Sequence, residues 1–212
     1  MSRLTQKRSL KNTIAVIVDG QTEQWYLQSV KMHYRPEALR SIRIEPKLPH
    51  HKQIGDLFEM ARLTAEEGVA HVILIIDLDE ILANQEEFVR FKAFMKKYQS
   101  TDDVNSWMHK VTVVINNPCL EYWYLLHFNK TTKFYSTFRD LNPDMQRCLP
   151  GYCKKEDYYH NKSGNIFISL GGTVGLAKAR LNAGSLFNLE NCKEVGCSEM
   201  GKIFDFFDTI CD

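Results

Sequence analysis

Three carboxylates, Asp77, Asp79 and Glu80, fall within four positions directly after the aliphatic run from Val72 to Ile76. Side chains two apart in an extended segment face the same side, so Asp77 and Asp79 are expected to converge while Leu78 turns into the core. Carboxylates that close repel each other unless a cation lies between them. Oxygen donors without histidine or thiolate at matching spacing favour a hard ion, Mg²⁺ or Mn²⁺. Asp19 follows a second apolar run, and Asn116, Asn117 and Glu121 follow a third, so acids and amides gather where apolar segments end. A divalent ion so held suits phosphodiester hydrolysis, by activating water and neutralising charge on phosphate. A receiver-like phosphoacceptor also gathers aspartates at strand ends, but its lysine after the last strand has no counterpart that can be placed here.

Each acid also has a plainer reading. Asp19-Gly20 suits a turn, and Glu23 suits the first turn of a helix, where an acid gains about 0.3–1 kcal/mol from the dipole. Asn117-Pro118 can simply start a helix. The Asp77-x-Asp79 pair resists this treatment, because a second and third acid add repulsion with no evident partner. Glu121 stands in an otherwise almost uncharged segment, and His127 reads as a satisfied core or interface histidine.

The elements that must position these residues follow from hydrophobic period. TIAVIV (13–18), HVILIID (71–77) and KVTVVIN (110–116) are apolar or β-branched almost throughout, as strands covered on both faces require, and SIRIEPKL (41–48) is a weaker strand. Helical spacing marks 22–34, 54–68 with a glycine stop at Gly68, 86–98 and 120–128. The alternation β-α-β-α-β-α-β-α predicts an α/β fold with an open, mainly parallel sheet of about four strands flanked by helices. In such a sheet, ligands bind beyond the carboxyl ends of the strands, where the acids stand. Past residue 130 the pattern loosens into a helical and loop-rich C-terminal part (131–212), with helices over 170–183 and 198–210, packed on the 13–130 core as one domain. Residues 1–12 read as a mobile basic arm.

At 212 residues, 44% hydrophobic and 25% charged, the chain can bury one sizeable core. A net charge of +1 neither requires nor excludes a polyanionic partner. No run approaches the length of a membrane span and no signal-type segment leads the chain, so the expected location is cytoplasmic. The six cysteines read as free thiols. Cys148-x4-Cys153 near His160, and Cys192-x4-Cys197, lack the short spacing of structural zinc sites.

Three stretches carry a family resemblance: AVIVDGQTEQWY (15–26), ILIIDLDE (73–80) and NNPCLEYWYLLHF (116–128), with weaker similarity around Tyr152–Lys155 and LAKARL (176–181). They resemble the RloB family of bacterial phage-defence proteins, also called the AbiLii type, whose fold is TOPRIM-like. The last stretch is long, unusual and highly specific. The resemblance implies metal held by Asp19, Asp77 and Asp79, further acids in Glu23 and Glu121, and a positioning role for Asn117. Position 19 is Asp where the family has Glu, one methylene shorter, so Asp19 is expected to reach metal through water or to cede its role to Glu23. The implied activity is a Mg-dependent nuclease acting on DNA or RNA in abortive infection. Its implied partner is an AAA/ABC-type ATPase, through which any oligomer would form. ATP use must come from that partner, since the chain has no phosphate-binding G-x-x-x-x-G-K-[ST] loop. The alternative is a catalytically weak sensor or regulatory subunit of such an ATPase. A nuclease also needs a cation facing the phosphate, for which Lys154, Lys155 and Lys162 are candidates, Lys154 first, although surface lysines are usually just solvated.

Overall fold

The computed structural model describes residues 13–46, 53–100, 106–160, 165–184 and 186–209, so the basic arm, Lys162 and Cys211 lie outside the described residues. Along the chain run β1 (Ile14–Ile17), α1 (Gln21–His33), α2 (Pro36–Leu39), β2 (Arg43–Glu45), α3 (Ile54–Glu66), β3 (His71–Asp77), α4 (Asp79–Ala83) and α5 (Gln85–Gln99). A 3-10 turn (Trp107–Lys110) precedes β4 (Val111–Asn117) and α6 (Glu121–Leu126). There follow α7 (Phe138–Cys148), α8 (Glu156–His160), α9 (Ile166–Ser169), α10 (Gly172–Asn182), β5 (Cys197–Ser198) and α11 (Gly201–Thr209).

The strands form one open sheet in the order β2-β1-β3-β4-β5, parallel except for β5. This is the expected α/β architecture, consistent with a TOPRIM-like fold, with one strand more than the hydrophobic pattern gave. β5 is two residues long and antiparallel to Asn116 and Asn117, too short to leave a period in the sequence.

Alternation along the strands divides the core. Ile14, Val16, Ile73, Ile75 and Val114 pack with α1, α6 and the C-terminal helices, while Ile17, Val72, Leu74, Ile76, Val113 and Ile115 pack with α3 and α5. Each such side chain contributes roughly 1.5–3 kcal/mol when fully buried. The helices are stopped and started by local chemistry. Asn84 caps α5 by accepting from the amides of Glu86 and Glu87, and Lys96 and Lys97 sit in its last turn, where the dipole favours them. Thr137 and Asp140 form a capping box at the start of α7.

The outer margin of β4 is finished by side chains. The Tyr98 hydroxyl donates to Val111 O (3.0 Å) and accepts from Val113 N (3.4 Å), and Glu199 Oε2 accepts from Ile115 N (3.2 Å).

His127 is 3% exposed. Its Nδ1 lies 2.9 Å from Trp123 O, which only a protonated nitrogen can use, so Nε2 is left without a donor. It is thus a core histidine satisfied on one side only. Burial pushes its pKa down to about 4. The unfolded chain takes up a proton near pH 6.5 and the native chain does not, so stability falls as pH drops from about 6.5 to 4. At 1.36 kcal/mol per unit, His127 accounts for a loss of about 3 kcal/mol over that window. Denaturant unfolding of wild type and His127→Gln should give stability curves that close on each other by that amount between pH 7 and 4; parallel curves would exclude the assignment.

Candidate metal and phosphodiester site

The carboxyl ends of β1 and β3, the start of α6 and the loop before α8 meet around a cavity of about 830 Å³. Asp19, Glu23, Asp77, Asp79 and Lys154 line it, along with Glu80, Glu87, Trp25 and Cys119.

At the end of β1 the chain turns through Asp19 and Gly20 into α1. A Cβ at Gly20 would stand 2.5 Å from Glu23 Oε2, so the Glu23 carboxylate folds back over the helix start into space that the glycine leaves open. Glu23 Oε1 accepts from Thr22 Oγ1 (3.1 Å), whereas Oε2 is buried with no donor. Burial, then the charge of Glu121, raises the Glu23 pKa above the ordinary carboxylate range.

Asp77 ends β3. Its Oδ1 accepts from Asn116 Nδ2 (3.0 Å) and its Oδ2 from Leu120 N (3.0 Å), and Ser198 Oγ donates to Asn116 Oδ1 (2.6 Å) behind it. Leu78 then turns in helical conformation (φ −99°, ψ −14°), with its amide donating to Asn116 O and Pro118 O. Asp79 is therefore the first residue of α4. The extended i, i+2 geometry expected for the pair is corrected here: both reach the cavity because the chain bends at Leu78. Burial first, then Glu23, Asp79 and Glu121, drives the Asp77 pKa well up, and burial raises that of Asp79.

Glu121, at the start of α6, is fully buried. Tyr152 OH donates to its Oε1 (2.7 Å) and Lys154 Nζ pairs with its Oε2 (3.0 Å). Glu121 itself stands behind the cavity wall and Lys154 presents the charge to it. The Lys154 ammonium also sits 4.3 Å from the Phe138 ring centroid. Gln146 pins the supporting loop, donating to Tyr152 O (2.7 Å) and accepting from Gly151 N (3.0 Å). Burial would lower the Lys154 pKa, but Glu121, helped by Cys119 and Asp77, outweighs it and the pKa is raised, so the ammonium stays charged. The solvated-lysine reading does not fit Lys154. Lys155 next to it is exposed and is not part of the wall.

Asn117 is not in the cavity. Its Nδ2 donates to Cys192 O (2.7 Å) and Val195 O (2.8 Å), so the side chain clamps the C-terminal loop, and the neighbouring Asn116 is the amide that holds Asp77. Sequence reasoning placed Asn116 at the strand end but gave the positioning role to Asn117, and it gave no role to Tyr152 or to Tyr159, whose hydroxyl lies 2.6 Å from that of Tyr152. Asn116 alternates away from Asn117 along β4, a signal that was available; the tyrosines gave none.

In donor chemistry the set suits a hard divalent ion. It is all oxygen, it gathers like charges whose protonation is favoured by their crowding, and it leaves Glu23 Oε2 unsatisfied in the interior. Among the described residues no three His, Cys, Asp or Glu side chains are arranged to hold a metal ion as they stand. The described cysteines, Cys119, Cys148, Cys153, Cys192 and Cys197, are free thiols. Among the described residues no helix is long and apolar enough to cross a membrane.

Comparison with known families finds a match over residues 14–205 to the family described as RloB-like protein. No curated protein and no solved structure matches.

Proposed function

The chain belongs to the RloB-like family, and from that premise we propose a divalent-cation-dependent, TOPRIM-like nuclease that hydrolyses phosphodiester bonds of DNA or RNA in antiphage defence, working with an ATPase partner. The observation that carries this reading is the delivery of Asp19, Glu23, Asp77 and Asp79 into one cavity opposite a fixed ammonium, Lys154. Family membership is compatible with the defence setting.

Asp77, Asp79 and Asp19 would hold Mg²⁺ or Mn²⁺. When bound, such an ion polarises a phosphoryl oxygen and acidifies water. The chain's own residues do the rest. Asn116 and the Leu120 amide fix the Asp77 carboxylate so that it does not swing away from the cavity. Glu23 Oε2, with no donor of its own, would take a proton from attacking water or return one to the leaving oxygen. Lys154 Nζ supplies positive charge where negative charge grows on the phosphate oxygens, and Glu121 and Phe138 hold it in place.

The test is incubation of the purified chain with labelled single- and double-stranded DNA and RNA, with and without Mg²⁺ or Mn²⁺, beside a thermal-unfolding titration of the same ions. Hydrolysis that requires the ion and stops with chelator is expected. Ion binding with no hydrolysis of any substrate would instead assign the regulatory-subunit role.

A further inference from the structure

The cavity is lined by six carboxylates, those of Asp19, Glu23, Asp77, Asp79, Glu80 and Glu87, against the single ammonium of Lys154. A polyanionic strand is not drawn into such a place by long-range charge, so the affinity must be supplied outside it. Helix α5 begins on the cavity wall at Asn84 and Glu87. Asn84, Phe88, Lys92 and Lys96 follow at four-residue steps, a row along one side of the helix with a rise of about 6 Å per step. From the C-terminal loop, Lys193 approaches the same row. Its Nζ lies 5.0 Å from the Phe88 ring centroid and that of Lys92 lies 4.7 Å from it, so one ring orders two ammonium groups. Glu190 and Glu194 stand in the same loop as Lys193, yet among the described residues no carboxylate is in ion-pair distance of either ammonium. Two ammonium groups held on one ring without a carboxylate partner among the described residues suit an anion from outside the chain.

We propose that Lys92 and Lys193, with Lys96 behind them, bind consecutive phosphates of a nucleic-acid strand and lead it along α5 to the cavity. The assignment of the strand as nucleic acid rests on the hydrolytic reading above; the convergence of the lysines does not.

The test is binding of the full chain to fluorescein-labelled 20-residue DNA and RNA oligonucleotides in EDTA, by anisotropy, over a series of KCl concentrations. Each phosphate contact contributes about 0.7–0.9 to the slope of log affinity against log salt. Lys92→Ala/Lys193→Ala should therefore weaken binding and flatten the slope by roughly 1.5. Lys92→Arg/Lys193→Arg should restore it, and a control pair, Lys130→Ala/Lys178→Ala, should leave it unchanged. No binding by wild type, an unchanged slope in the Lys92/Lys193 variant, or an equal loss in the control would overturn the proposal. Binding that behaves as expected in a chain that cleaves nothing with any divalent ion would leave the track standing and refute the hydrolytic reading.

Discussion

An Asp77→Ala/Asp79→Ala variant is expected to fold and to lose divalent-dependent cleavage by roughly 10³-fold or more, the several kcal/mol of charge stabilisation a bound ion gives. Its fold survives because two effects oppose. Losing Asp77 strands the Asn116 amide and the Leu120 N–H, at about 1–3 kcal/mol for each unsatisfied group. Losing both acids also removes the cost of burying the Asp77 carboxylate and, after it, the repulsion from Glu23, Asp79 and Glu121 that pushes the Asp77 pKa upward in the ion-free protein. The melting temperature without metal should thus stay within several degrees of wild type, while the rise caused by added Mg²⁺ or Mn²⁺ disappears. Cleavage retained by the folded double variant would remove these aspartates from the reaction.

Lys154→Met should cost about 10²- to 10³-fold in kcat, the range for removing one donor that meets developing charge. It should also destabilise the protein, because the Glu121 carboxylate, 0% exposed, is left with the Tyr152 hydroxyl and no cation. Breaking a fully buried pair costs about 3–5 kcal/mol. The Lys154 side chain is 36% exposed, so solvent screening reduces the expectation to roughly 2 kcal/mol. Adding Glu121→Gln removes the stranded charge and should recover most of that stability without recovering cleavage. Measured by denaturant unfolding and single-turnover cleavage, this divergence separates a charge that serves phosphate from a pair that merely holds the fold. If the double variant regains activity along with stability, Lys154 has no catalytic part.

Much of this architecture was legible in the sequence because β-branched runs are unambiguous. HVILIID is β3 residue for residue, and α1, α3 and α5 begin within a residue or so of their expected starts. The cavity acids were legible for the same reason, since they stand where those runs stop. What was not legible depended on contacts between distant segments. Lys154 is 33 positions from Glu121, and nothing in its neighbours marks it off from Lys155. Asp79 was expected on an extended strand, and hydrogen bonds from Leu78 and Asp79 to Pro118 O bend it into a helix instead. α7 contains Pro143, and the surrounding turn residues hid a helix that its Thr137 and Asp140 box could have announced.

The side chains that finish β4 have a consequence for how the molecule meets other chains. An unguarded sheet edge is a template for any extended segment, whether a docking peptide or a second copy beginning an aggregate. Here such a segment would have to expel the Tyr98 phenol and the Glu199 carboxylate before making its first main-chain bond along Val111 to Ile115. At the opposite edge β2 is only three residues long, carries Arg43 and Glu45 and runs into Pro46. Growth of the sheet is discouraged on both sides, which directs association to helix surfaces and to the open end of the cavity.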